Sequence, residues 1–135
     1  MAVSKSEFDT LKKENLSARI VTTRRDEITG VEVRVKGVNS AGSLRRECWF
    51  TVFLDVEAIR SEYIPDAYIK EPGLGSIQRA NILQPEFCEK LGKAYPIICW
   101  GHGTKNGFDG IWRDLKPYER SLLGLFNLLK ELLNS

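Results

Sequence analysis

The stretch ECWFTVFLDV, residues 47–56, decides the fold class, because it is long, rich in aromatic and β-branched residues, and apolar on both of its alternating faces. Such a pattern is typical of a central strand that is covered from two sides. Upstream, VEVRVKGV (residues 31–38) alternates strictly between valine and charged residues, which predicts a strand with one solvent-exposed face. The intervening NSAGS (residues 39–43) favours a turn. The two stretches therefore predict adjacent antiparallel strands.

The chain before residue 31 predicts a helix and one further strand. Ser4 stands three positions before a glutamate, the capping-box spacing at a helix start, and Phe8 and Leu11 share a helical face. Residues 5–15 are therefore predicted to form a short amphipathic helix. SARIVTT (residues 17–23) is rich in β-branched residues and predicts a strand. Three sequential strands joined by short turns indicate an antiparallel meander.

Beyond residue 56 the periodicity weakens. YIPDAYIKEPGLGS (residues 63–76) contains two prolines and two glycines without a period, so an extended or looped segment is predicted there. IQRANIL (residues 77–83) is a candidate fourth strand, and residues 84–110 are predicted to be mostly a long irregular loop. A leucine-rich helix follows Pro117, and its apolar face must pack on the sheet or on a partner.

Together these elements predict an α+β fold with an N-terminal helix, an antiparallel meander sheet of about four strands, a long irregular loop and a C-terminal helix packed on the sheet. With 135 residues, the chain fits one domain, residues 1–135, that buries a core without disulfides or metal.

Composition excludes several classes of function. Lys and Arg total 20 against 18 Asp and Glu, and this near balance argues against nucleic acid or an acidic membrane as a partner.

Three cysteines, an odd number, do not form a disulfide framework, so a reducing, cytoplasmic location is expected. The N-terminus lacks the apolar core of a signal peptide, and no apolar run is long enough to span a bilayer, which predicts a soluble protein. No cofactor is expected.

The segment YPIICWGHG (residues 95–103) contains the candidate for chemistry. Cys99 lies where an apolar run breaks into glycines and His102, so it is either a reactive thiol at the edge of a loop or a buried apolar residue at the end of a strand. A protease-like pair of Cys99 and His102 has no evident third group to orient it. A zinc site from Cys88, Cys99 and His102 lacks a fourth ligand, so no metal is expected.

A set of short motifs follows one another in a recognisable order along the chain. Its members are Tyr63-Ile64-Pro65, Glu71-Pro72, Asn81-Ile82, Gly92, Ile98-Cys99, Trp112 and LLGLFNLLKELL (residues 122–133). In this order the chain resembles the ubiquitin-conjugating (UBC-like) fold family over nearly its whole length, in a divergent form similar to those of bacterial gene clusters. Where that family usually has His-Pro-Asn, this chain has Arg79-Ala80-Asn81, and the 18 positions from 81 to 99 exceed the family spacing.

The resemblance implies a function and roles for individual residues. Cys99 matches the position that accepts a ubiquitin-like modifier as a thioester from an activating enzyme and passes it to an amine. Asn81 matches the residue that stabilises the oxyanion, and Trp112 matches the family tryptophan whose packing shapes the loop. His102 is a supporting residue within possible reach of the thiol.

Two alternatives stay open. Cys88 ranks second as the nucleophile, because it lies nearer the family distance from Asn81, although EFCEKL (residues 86–91) is predicted to be a helical turn. The chain is alternatively a non-catalytic UBC-like or RWD-like module that binds a partner protein. The exposure and reactivity of Cys99 distinguish the enzyme from the module.

Overall fold

The computed structural model describes residues 3–41, 44–77, 79, 81–101 and 107–135. Within these ranges the fold is α+β, with an N-terminal helix, an antiparallel sheet and a C-terminal helix, as predicted. The sheet has six strands and not about four, in the order β1-β2-β3-β4-β6-β5. The helices are α1 (Lys5–Glu14), α2 (Phe108–Arg113) and α3 (Leu122–Leu133). The strands are β1 (Arg19–Arg24), β2 (Glu27–Ala41), β3 (Leu44–Asp55), β4 (Ala67–Glu71), β5 (Ile82–Cys88) and β6 (Lys93–Ile98).

The strict alternation of β2 selects one face of the sheet for burial. Val31, Val33 and Val35 point into the main core, where Phe8 of α1, Trp112 of α2 and the leucines of α3 join them. Side chains of β3 at alternating positions, among them Phe50 and Val52, complete this layer. All three helices therefore cover the same face, which we call the inner face.

The outer face carries no helix among the described residues, so the prediction that β3 is covered from two sides is wrong. Phe53 on this face is nevertheless fully buried, because Tyr68, Cys88 and Ile97 of neighbouring strands pack beside it. Trp49, further along β3, is 52% exposed. The apolar outer residues of β3 are thus shielded by other strand side chains at one end and open to solvent at the other.

The predicted irregular regions contain three strands. Ala67–Glu71 forms β4 inside the stretch interpreted as a loop. β5 begins at Ile82, near the end of the candidate fourth strand 77–83, and forms a hairpin with β6 that extends into the stretch interpreted as irregular. Two prolines obscure this hairpin in the sequence: Pro85 and Pro96 face each other, and neither can donate a hydrogen bond to the ladder. The ladder between β5 and β6 shifts register just before this pair.

Three side chains close the free edge of β2 beyond the end of β1. The amide of Asn15 donates to the Arg34 carbonyl at 2.6 Å, and that of Asn134 donates to the Lys36 carbonyl at 3.1 Å. The Arg79 guanidinium donates to the Val38 carbonyl. Because an open strand edge is a template for intermolecular pairing, these contacts satisfy the backbone and protect the edge.

A charged cluster crosses the outer face near its centre. Glu32 accepts hydrogen bonds from Arg19 of β1 and Lys70 of β4, each at a shortest distance of 2.7 Å. Burial by itself raises the pKa of Glu32, but the hydrogen bonds and charges of its two partners outweigh it, so the pKa lies below its usual value. The carboxylate therefore stabilises the fold while it is ionised.

Replacement of Gly30 by alanine tests the close packing between β1, β2 and β3. A Cβ atom at Gly30 would lie 2.3 Å from the Thr22 hydroxyl oxygen and 2.5 Å from the Phe53 ring. We expect Gly30→Ala to lower the free energy of unfolding by about 1–3 kcal/mol, because the buried ring must shift. Urea denaturation measures the effect. Gly73→Ala is the control, since nothing lies within 4 Å of a Cβ there; equal losses in the two variants would contradict the packing.

Replacement of Glu32 by glutamine tests the charged cluster. At pH 7 we expect Glu32→Gln to lower the free energy of unfolding by about 1–3 kcal/mol, because Arg19 and Lys70 lose their carboxylate. A lowered folded-state pKa means that this contribution is present above the usual carboxylate pKa and disappears as the pH falls through the folded-state value. The difference between the two proteins, followed by urea denaturation from pH 7 downwards, should therefore shrink in acid. A difference that stays constant with pH would show that the carboxylate is not the cause.

Candidate functional site

The structure brings Cys99 and Asn81 together, although 18 positions separate residue 81 from residue 99 in the sequence. Cys99 directly follows β6, Asn81 directly precedes β5, and Ile82 pairs with Ile98 across the hairpin. The backbone N–H of Cys99 donates to the Asn81 carbonyl at 2.8 Å. The register of the hairpin therefore makes the two residues neighbours.

Cys99 is half-buried and lines a groove of about 730 Å³. This volume lies within the usual range of ligand sites, roughly 300–1,000 Å³. The apolar part of the lining is Tyr63, Ile64, Leu83, Ile97, Ile98 and Trp100. The groove thus runs from the connection between β3 and β4 across the β5–β6 hairpin, and α2 contributes to it at Asp109 and Arg113.

Acidic groups dominate the charged part of the groove. Among the described residues, Glu62, Asp66, Glu86 and Asp109 line it, together with the cation Arg113. Within the described part of the chain, none of these four carboxylates is within salt-bridge distance of a cation. Burial, and to a lesser degree the charges of Asp55 and Glu86, raise the pKa of Asp66. The described lining of the groove is therefore predominantly acidic.

Arg79 orients the Asn81 amide and is a residue that sequence analysis did not select. Its Nε–H donates to the Asn81 Oδ1 atom at 3.1 Å. Its remaining N–H groups donate to backbone carbonyls of Val38 in β2 and of the C-terminal end of α3, including Leu132 at 2.7 Å. Nothing in the sequence reveals these acceptors, which lie 41 to 56 positions away.

Trp100, a residue that the sequence analysis did not select, lines the groove. Its indole N–H donates to the Pro65 carbonyl at 3.1 Å, which attaches the Tyr63-Ile64-Pro65 motif to the segment of Cys99. The Trp100 carbonyl accepts from the backbone N–H of Phe108 at 2.9 Å and so holds the start of α2. Trp112 is fully buried in the core from α2, and its influence on the loop stays a prediction.

Cys88, the second candidate nucleophile, is not among the residues that line the groove. Cys88 ends β5, where EFCEKL was predicted to form a helical turn, and it is only 1% exposed in the cluster on the outer face. Burial raises the pKa of the Cys88 thiol and likewise that of Cys48. His102 lies outside the described residues.

Among the residues that are described, no group of three or more potential ligands is placed to hold a metal ion. No helix in these ranges combines the length and the apolar character that a membrane span needs.

Alkylation with iodoacetamide tests the ranking of the three thiols. Cys99 lines an open groove, whereas Cys88 is buried, and burial raises the pKa of the Cys48 and Cys88 thiols, which lowers their thiolate populations. We therefore expect native Cys99 to react faster than either, on the order of tenfold or more relative to Cys88. Peptide mass spectrometry over a time course measures each site. Cys99→Ser should leave the slow labelling of the others unchanged; labelling of Cys88 as fast as that of Cys99 would reject the ranking.

Comparison with known proteins adds no assignment to this geometry. No family model matches the chain, and no similar curated protein or solved structure was found. The functional proposal therefore rests on the groove, on the thiol at its wall and on the neighbouring asparagine.

Proposed function

We propose that the protein is a conjugating enzyme that accepts a ubiquitin-like modifier on Cys99 and transfers it to an amine. The observation that carries this proposal is the backbone hydrogen bond that joins Asn81 to Cys99, which lines an open groove. The thiol supplies the nucleophile, the groove supplies a path for an acyl chain, and the amide of the neighbouring Asn81 supplies an oxyanion donor.

The arrangement of elements is consistent with a UBC-like fold, which we propose as part of the same hypothesis. Tyr63-Ile64-Pro65 lies in the connection between β3 and β4, and Asn81 precedes the hairpin whose far end leads to Cys99. A tryptophan-bearing helix and a C-terminal helix follow. This is the order that the resemblance implies. The two strands of the hairpin account for the long spacing between Asn81 and Cys99.

The chemistry consists of two acyl transfers. In the first, the Cys99 thiolate attacks the carbonyl carbon of the modifier's thioester on the activating enzyme, a new C–S bond forms, and the thiol of that enzyme leaves. In the second, an acceptor amine attacks the same carbonyl, an amide forms, and the Cys99 thiol is regenerated as the amine loses a proton. A reducing, cytoplasmic setting would keep the thiol available.

Asn81 is suited to stabilise the oxyanion of the second step. Because Arg79 donates to its Oδ1 atom, the Nδ2 end of the amide is the end that can donate to a developing oxyanion. Removal of one such donor costs on the order of 10²-fold or more in rate.

The non-catalytic UBC-like or RWD-like module is the second candidate function. It is favoured by the apolar neighbours Ile98 and Trp100 of the half-buried Cys99, and by the exposed aromatic side chains of Trp49 and Phe87 on the strands. In this case Cys99 serves packing, and the groove or the sheet docks a partner without acyl transfer.

Chemical loading tests the enzyme without knowledge of its natural modifier. The protein is incubated with a small thioester of acetyl-glycylglycine, and intact mass spectrometry follows an acyl adduct that excess thiol removes. We expect the adduct to form on Cys99. In Asn81→Ala, we expect loading to be unchanged and transfer of the acyl group to added lysine to be slower by roughly 10²-fold.

Two matched variants are the controls. Cys48→Ser should load normally, whereas Cys99→Ser should form no thiol-reversible adduct. Asn127→Ala removes an exposed asparagine of α3 and should transfer at the normal rate. Absence of a Cys99 adduct in the folded protein would reject the enzyme in favour of the module. Equal transfer rates of Asn81→Ala and Asn127→Ala would reject the role of Asn81.

A further inference from the structure

We propose that the groove beside Cys99 binds an extended segment of a partner protein that carries lysine or arginine side chains next to apolar ones. This inference concerns recognition, and it does not require the thiol to react. It therefore goes beyond the proposed function and applies equally to an enzyme and to a binding module.

The distribution of charge is the first argument. The chain as a whole has 20 basic and 18 acidic residues, yet the described lining of the groove contains four acids and one arginine. Several carboxylates outside the groove form ion pairs, among them Glu7 with Arg60, Glu32 with Arg19 and Lys70, and Asp55 with Lys90. In the described ranges the groove acids have no cation within salt-bridge distance, so a cationic ligand would supply the missing counter-charges.

Repulsion between neighbouring carboxylates makes the binding of a cation in the groove more favourable still. Asp66 lies close enough to Glu86 and Asp55 for their charges to disfavour its ionisation, in addition to its partial burial. Asp55 is paired with Lys90, whereas Glu86 belongs to the uncompensated group. A lysine or arginine side chain between Asp66 and Glu86 would relieve this repulsion and favour the ionised form of Asp66.

The apolar lining selects a peptide over a small polyamine. Ile97, Ile98 and Trp100 are largely buried, and together with Leu83 and Tyr63 they provide an apolar and aromatic surface between the carboxylates. Tyr63 is 76% exposed and Leu83 41% exposed, so the rim of the groove presents apolar area to solvent. Aromatic side chains are enriched at protein interfaces, and a purely hydrophilic cation would leave this area uncovered. Both strands of the adjoining hairpin are extended, which suits an extended ligand.

Binding of a designed peptide tests the proposal directly. The probe is the hexapeptide acetyl-KLKLKL-amide, whose extended form places cations and leucines on opposite sides, and the comparison is acetyl-ELELEL-amide. Titration of the full ¹⁵N-labelled chain with up to about 2 mM peptide is followed in ¹H–¹⁵N spectra. We expect shifts of the Leu83, Glu86 and Ile98 amides with the basic peptide only, and weaker binding at about 0.3 M salt.

A charge-matched pair of double variants locates the site. Asp66→Asn with Glu86→Gln removes two groove carboxylates, and we expect this double variant to lower the affinity for the basic peptide by about tenfold. Asp9→Asn with Glu47→Gln removes two exposed acids outside the groove and should change affinity by less than about twofold. Equal weakening by both pairs would mean that net charge alone binds the peptide, and would overturn the proposal. So would equal binding of the acidic peptide, binding of spermine as tight as that of KLKLKL, or no shifts at the highest concentration.

Assays of peptide binding and of acyl loading on the same unmodified protein separate this proposal from the proposed function. Failure of peptide binding together with normal acyl loading of Cys99 would overturn the recognition proposal alone. Peptide binding without acyl loading would support recognition and reject the enzyme.

Discussion

The guanidinium of Arg79 connects separate parts of this fold to the candidate site through its hydrogen bonds. Each of its N–H groups has an acceptor, on Asn81, on the edge of β2 and on the C-terminal end of α3. A cation at that end of a helix also interacts favourably with the unsatisfied carbonyls and their dipole. Because one planar group joins the long strand, the last helix and the asparagine beside Cys99, the position of the amide depends on the packing of the whole domain.

The one-sided burial of the sheet determines where a site can form. All three helices cover the inner face, so the groove lies where β6 ends and the chain passes from the sheet toward α2. There Trp100 turns its indole into the core and bonds to Pro65, while its neighbour Cys99 stays half-buried at the groove wall. The acids of the groove come from three separate parts of the chain: the β3–β4 connection, β5 and α2.

Local patterns were sufficient for the elements whose periodicity is strong. The helix α1, the alternating valines of β2, the apolar strand β3 and the leucine-rich α3 follow from spacing and composition. The helices α1 and α3 and the valines of β2 pack on the inner face as their patterns indicate, whereas β3 is covered by helices on that face alone among the described residues. The short strands were missed, because β4 has only five residues and the β5–β6 hairpin contains two facing prolines. Without donors at those positions the ladder is irregular, and the sequence looks like a loop.

The sequence by itself determined the fold class and the buried face of the longest strands, because hydrophobic periodicity is a local property that burial enforces residue by residue. The choice of Cys99 and Asn81 as candidates came from the order of short motifs and the resemblance it carries. Only the tertiary structure decided that these two residues are neighbours, that Trp100 lines the groove, that Arg79 holds Asn81 and that, among the described residues, the groove acids form no ion pair. Those features depend on strand register and on contacts between residues tens of positions apart, which no local pattern encodes.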